Sequence, residues 1–178
     1  MKRIEIQMLI NLALGKGNNM LFGQLIENES SYSLYFERGF YQSKEAVFDA
    51  LTDPVIFSKW YPFATGEMDG QVGGLIKFDD GEGNLYQGVI TKFSLTDGFE
   101  FIEDSRDVMR MEVSETPSGS KLHFYHTFSD LAWLVQTATG WHNCLNVFVQ
   151  IMNGLPPQWP LPDELVALTQ AYEEIFRK

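Results

Sequence analysis

A change of hydrophobic period after Phe128 narrows the possible folds more than any other feature of the chain. From Glu67 to Phe128, apolar and polar residues alternate between closely spaced glycine and acidic turns, the pattern of an antiparallel meander with one buried face. Beyond it, Leu134, Ala138, Trp141, Leu145, Phe148 and Met152 recur at spacings of three and four, which makes one apolar stripe along a long helix. Neither surface is stable in water, and a sheet face and a helix stripe are the right shapes to bury each other.

Within the alternating region, strands are predicted near Gly74 to Asp79, Asn84 to Leu95, Gly98 to Asp104, Asp107 to Glu115 and Lys121 to Phe128. Turns such as Asp80-Gly81, Asp97-Gly98 and Ser118-Gly119 join them. Ser33 to Tyr41 reads as an earlier strand, which brings the sheet to about six strands. Ser43 is placed to cap a helix over Lys44 to Leu51. Asp53 and Pro54 then open a shorter helix that carries Ile56, Phe57 and Trp60 and is stopped by Pro62. Gly140 marks either a kink in the long helix or its true start, and Gly154 with Pro156 and Pro157 ends it. A last helix begins at Pro162, with Leu165, Leu168, Tyr172 and Ile175 as its stripe, and is expected on the outside.

Composition limits what such a fold can do. With 178 residues, 44% hydrophobic and 14% aromatic, the chain can bury one core, and 14 phenylalanines are hard to pack without leaving irregular internal space. The 24 acidic against 13 basic side chains give a net charge of -11, which repels phosphate backbones and anionic membrane surfaces. Nucleic acid is therefore not expected as a partner, and no run approaches the roughly 20 apolar residues of a membrane span. One cysteine, Cys144, and three histidines exclude a disulfide or zinc framework, so no metal and no cofactor are expected and the cytoplasm is the expected compartment.

The N-terminus loosely imitates a signal peptide, with Lys2 and Arg3 ahead of Ile4 to Leu14, but Glu5, Gln7 and Asn11 interrupt the apolar run. Met20 offers an alternative start, and residues 1–19 read as a loosely attached or mis-called extension. No dinucleotide fingerprint, phosphate loop, nucleophile elbow or zinc-protease motif is present. Asp79, Asp80 and Glu82 around Gly81 resemble half a calcium loop without its spacing or terminal glutamate, so a solvated turn is the better reading.

Several strings are similar to one known group. Ala50-Leu51-Thr52-Asp53-Pro54 leading to Lys59-Trp60, then Val72-Gly73-Gly74 with Ile76 and Phe78, resemble the START-like (SRPBCC) superfamily. Gly88, Ser120-Lys121-Leu122 with His126, and Gly140-Trp141 with Leu145 continue in register. Within that superfamily the likeness is to homologues of the activator of heat-shock-protein-90 ATPase. It covers residues 33–154, leaving 1–32 as an N-terminal extension and 155–178 as an additional helix packed on the domain. The resemblance implies an α+β helix-grip fold, a curved antiparallel sheet wrapped around a long C-terminal helix. It also implies a space between them that holds hydrophobic ligands such as lipids, sterols or polyketides. Some branches are cyclases, dehydratases or hydrolases. The founding co-chaperones use a separate N-terminal domain that is not recognisable in this sequence.

These readings give a set of expected pocket residues. Trp60, Phe63, Trp133 and Trp141 sit on helices or connections that close over the sheet, where core packing explains them equally well. Phe78, Phe101, Met109 and Phe124 are the strand residues expected to line the same space. His126 shares a strand face with Leu122 and Phe124, so it points inward, and a histidine hydrogen-bonded to a neighbouring strand or helix is the favoured reading. Glu103 has the parity of Phe99 and Phe101. Burial would raise its pKa towards that of a general acid, but at a strand end a solvated carboxylate is favoured. Tyr86 and Tyr125 are further sources of hydroxyls. His142 flanks the helix stripe and is expected to be exposed, and Cys144 to be a small helical filler.

The function expected from all this is non-catalytic binding of a small hydrophobic or amphipathic molecule, with no catalytic residue assigned. A co-chaperone-like protein-interaction module, or a cyclase or hydrolase using His126 and Glu103, are the alternatives.

Overall fold

The computed structural model describes residues 22–177, and the expected extension over residues 1–19 lies outside them. Among the described residues, eight strands form a single antiparallel sheet in the order β1-β2-β8-β7-β6-β5-β4-β3. They are β1 (Gln24–Glu27), β2 (Tyr32–Phe40), β3 (Ala64–Met68), β4 (Leu75–Asp79), β5 (Leu85–Ser94), β6 (Gly98–Glu103), β7 (Asp107–Thr116) and β8 (Gly119–Phe128). Helices α1 (Lys44–Thr52) and α2 (Pro54–Trp60) follow β2, α3 (Leu134–Met152) follows β8, and α4 (Pro162–Phe176) ends the chain. The curved sheet and its long helix are the helix-grip arrangement expected from the sequence.

The sheet has eight strands where about six were expected, and the two additional strands, β1 and β3, are its two edges. Both are short, β1 is almost wholly exposed and β3 has Ala64 and Met68 as its only aliphatic side chains, so little hydrophobic contrast marks either. In β1 only Leu25 is even half-buried, and β3 carries Gly66 at a φ of 87° and a register shift against β4.

Helices α1 and α2 begin where the sequence offers a side-chain acceptor. The Ser43 hydroxyl accepts from the Ala46 N–H at 3.2 Å, and the Asp53 carboxylate accepts from the Ile56 N–H at 2.8 Å with Pro54 in the first turn. Helix α3 starts at Leu134, so Gly140 lies in its interior rather than at its beginning. It ends at Gly154, whose φ of 71° and N–H bond to the Ile151 carbonyl close the last turn.

Strand alternation decides what faces this helix. Phe36, Phe99, Phe101, Met111, Leu122 and Phe124 point inward and are essentially inaccessible, as are Ala138, Leu145 and Phe148 of α3. Helix α4 packs on α3, but of its predicted stripe only Tyr172 is fully buried, while Leu165 and Ile175 remain 42% and 37% exposed. Tyr172 earns that burial by polar contacts: its oxygen accepts the Gly23 N–H at 2.8 Å and lies 2.9 Å from His142 Nδ1. His142 is therefore buried rather than exposed as expected, because α4 covers the flank of α3 on which it lies. Burial, and then the charge of Arg38, hold its pKa down to about 3.

Candidate functional site

One group of polar side chains gathers at the inner face where β6 turns into β7. Asp104 and Ser105 both take left-handed backbone angles, with φ of 48° and 58°, and this tight turn sets Glu103 opposite Asp107 in register. Parity sends both inward, alongside Phe101 and Met109. Tyr61, the residue that caps α2, donates its hydroxyl to Glu103, and the Tyr86 hydroxyl reaches the same carboxyl from β5. Burial pushes the Glu103 pKa up to about 7; the tyrosine bonds oppose the rise and the charge of Asp107 adds to it. The expected solvated carboxylate is thus a largely buried acid poised to change charge near neutrality.

His126 forms the second half of the site. Its Nδ1 lies 2.8 Å from the indole Nε1 of Trp141, which can only donate, so Nδ1 carries the lone pair. The proton then sits on Nε2, 3.0 Å from Asp107 Oδ2. A chain Trp141, His126, Asp107 therefore runs from helix to strand turn beside the Glu103 cluster. This is the hydrogen-bonded histidine that the sequence favours.

Aromatic rings fill the space between these groups. Trp141 lies 4.7 Å from Phe124 and 5.1 Å from Tyr61 between ring centroids, Phe57 stacks on Tyr61 at 4.5 Å, and Phe78 sits 5.6 Å from Tyr61. Trp60 is fully buried against Phe148 at 5.0 Å, and its indole N–H has no acceptor among the described residues. Of the ten expected pocket residues, Trp60, Phe78, Phe101, Glu103, Met109, Phe124, His126 and Trp141 are brought to this one interior. Phe63 and Trp133 are not: they are 53% and 70% exposed. Phe63 follows α2 with a φ of 61°, which turns its ring outward, and Trp133 precedes the first turn of α3.

Tyr61, Tyr86 and Asp107 complete the site without having been singled out as members of one cluster. For Asp107 and Tyr86 the signal was strand parity, the first with Met109 and the second with Gly88 and Ile90. Nothing local marks Tyr61, which reaches Glu103 from a helix 42 residues away. Cys144 is a buried filler whose thiol is pushed up to about 12 by burial. The Asp80 carboxylate is occupied by the Glu82 and Asn84 N–H groups, and the described residues hold no cluster suited to a metal. Nor is any described helix long and apolar enough to cross a membrane.

The family model described as Activator of Hsp90 ATPase homolog 1-like protein matches residues 42–153. No curated protein matches the chain. Among solved structures, CalU16 from Micromonospora echinospora has a TM-score of 0.65 at 19% identity over 88% of this chain and 92% of its own. A conserved protein of unknown function from Enterococcus faecalis has a TM-score of 0.73 at 16% identity, over 89% of this chain and 92% of its own. An AHSA1-like protein from Aeromonas hydrophila has a TM-score of 0.58 at 21% identity, over 72% and 99%. At these identities the likeness speaks for the fold alone.

Proposed function

Because the chain belongs to the family of Activator of Hsp90 ATPase homolog 1-like proteins, whose sheet and helix enclose an interior, we propose that it binds a small amphipathic molecule there. The observation that carries this reading is the Trp60 indole N–H, which is fully buried and without an acceptor among the described residues. An unmet buried donor costs about 1–3 kcal/mol, and a ligand oxygen would recover it. Tyr61 stands next to it with its own hydroxyl committed to Glu103, so a polar head entering here meets one donor and one protonatable carboxyl within an aromatic wall. Affinity would come mainly from apolar area, and orientation from these two groups.

The rings of the interior are already in contact, so entry requires a segment to move. Helix α2 is the candidate. It carries Phe57 and Trp60, is capped by Tyr61, and is followed by Phe63 in a strained left-handed conformation suited to a hinge. Thermal shift and native mass spectrometry against fatty acids and aromatic amphiphiles test the reading. A ligand should raise the melting temperature, and Trp60→Phe should weaken it by roughly tenfold, the worth of one hydrogen bond. No bound mass and no shift with any compound would remove the proposal.

A second reading has its own support. Interior rings packed at centroid distances of 4.5–5.6 Å around Tyr61 suit a solid protein-interaction module. Its acidic surface would meet a basic partner, and raised salt should weaken that contact.

A further inference from the structure

The outer face of the sheet, turned away from α3, holds a chain of side chains that the interior site does not use. Strands β2, β8 and β7 are neighbours, and alternation sends Tyr35 and Glu37, His123 and Tyr125, and Glu112 and Ser114 to this face. Glu37 and Glu112 flank His123 in register, and Lys121 lies directly across from Ser114. Ser114 Oγ is 2.9 Å from His123 Nε2, and the Tyr35 hydroxyl oxygen is 2.8 Å from His123 Nδ1. Tyr35 in turn donates to Glu37 Oε1, while Lys121 Nζ holds the other oxygen of Glu37 at 3.2 Å.

Counting protons fixes the direction of every bond in the chain. Burial pushes the Glu37 pKa up, but the bonds from Tyr35 and Lys121 outweigh it and hold the carboxyl below its usual range. Burial, with Glu37 beside it, raises the Tyr35 pKa, so the phenol keeps its one proton. An ionised carboxylate can only accept, so it takes that proton. The Tyr35 oxygen is then free only to accept, and the His123 Nδ1–H donates to it. In the neutral ring this leaves the lone pair on Nε2, where the Ser114 hydroxyl donates. Serine donating to a histidine whose other nitrogen is held by an acceptor, here the Tyr35 oxygen backed by the Glu37 carboxylate, is the arrangement that activates a nucleophile.

Room for a substrate adjoins it. An open hollow of about 330 Å³ is bordered by Ser114, His123 and Tyr125, and by Leu95, Thr96 and Gly98 of the β5–β6 turn. We propose that Ser114 is a nucleophile activated by His123 in a second site, on the outer face of the sheet, which takes the acyl group of small carboxylic esters.

The reaction balances with water as its only co-reactant. Ser114 Oγ bonds to the ester carbonyl carbon as its proton passes to His123 Nε2. Lys121, across from Ser114 on the same face, is bonded to Glu37 and lends positive charge to this part of the sheet. Collapse breaks the bond to the alcohol oxygen, which leaves with the proton from His123. Water, deprotonated by the same nitrogen, then attacks the acyl-serine; the acyl carbon–Oγ bond breaks, Oγ takes the proton back from His123, and the carboxylic acid leaves. Tyr35 and Glu37 are positioning residues, since they act through the imidazole.

A fluorophosphonate probe and p-nitrophenyl acetate, used on the full chain, test the proposal. Peptide mapping should place one phosphonyl adduct on Ser114 in folded protein, absent after unfolding in urea. Ser114→Ala should abolish both the adduct and the release of nitrophenol. His123→Gln should slow labelling by ~100-fold or more. Tyr35→Phe should slow it by less, because Glu37 Oε1 already lies 3.6 Å from His123 Nδ1. Circular dichroism of each variant separates loss of chemistry from loss of fold. No adduct, an adduct elsewhere, equal labelling of unfolded chain, or normal labelling of folded His123→Gln would each overturn the assignment.

Discussion

Replacing Glu103 by glutamine should change how stability depends on pH far more than it changes stability at low pH. The carboxyl titrates at an ordinary value of 4.5 when unfolded and at about 7 when folded, chiefly because it is buried. Between those values the folded protein holds a proton that the unfolded chain has released, so stability falls as pH rises. The favourable contribution is complete below the unfolded value and gone above the folded one. At about 1.4 kcal/mol per pH unit, the loss amounts to about 3 kcal/mol. Glutamine is neutral at every pH and its amide oxygen still accepts from Tyr61, so the variant should lack this slope. Urea denaturation of both proteins from pH 4.5 to 8.5 isolates the effect, because titrating groups that do not interact with Glu103 cancel in the difference. The two should be close in stability at pH 4.5, with the variant ahead by about 3 kcal/mol at pH 8.5, or roughly 6–12 °C in melting temperature. Parallel stability curves for the two proteins would refute the assignment of a buried, proton-holding carboxyl.

Further outcomes follow from single contacts. Tyr172→Phe strands the Gly23 N–H and the His142 ring nitrogen; it should cost about 1–3 kcal/mol by urea denaturation and speed amide exchange at Gly23. Trp141→Phe removes the donor that fixes the His126 tautomer; nitrogen NMR should show the proton redistributed between the ring nitrogens, with about 1–3 kcal/mol lost. Gly119→Ala sets a Cβ 2.1 Å from the Phe40 carbonyl oxygen at a φ of 148°, and a melt should show at least ~2 kcal/mol of destabilisation. Gly140→Ala, inside α3 with open space around the added carbon, should add up to ~1 kcal/mol of stability, read as a higher melting temperature.

What the sequence revealed divides along physical lines. The stripe from Leu134 to Met152 and the parity of Phe101, Phe124 and His126 are periodic, and period is a local property that any window displays. Edge strands β1 and β3 escaped because they are short and carry few buried apolar side chains, so no local window displays them. The partners of Glu103 and His126 escaped for a different reason. Tyr61 and Trp141 belong to helices, and their contacts depend on how far each helix reaches across the sheet. Phe63 and Trp133 show the converse: bulky aromatics on connecting segments suggest a pocket wall, yet a left-handed turn and the approach to α3 leave both facing outward. His142 flanks the stripe and is buried all the same, because the flank that α4 covers is set by a long-range contact that no local window displays.

Strand β8 ties the two polar chains together. His126 faces the interior and His123 the exterior, three positions apart on a strand paired along both edges. Each imidazole is bonded at both nitrogens, His126 to Trp141 and Asp107, His123 to Tyr35 and Ser114. The two sets share no side chain, so their energies meet only through the backbone of β8. Side-chain period makes that backbone an effective barrier: a slip of one residue would exchange the faces and bury His123 among phenylalanines, which the Leu122 and Phe124 packing forbids. Substitutions at Glu103 and His123 should therefore add in stability to within about 0.5 kcal/mol. A larger coupling energy in the double-mutant cycle would mean that the strand itself shifts, and that the inner and outer chains are one device rather than two.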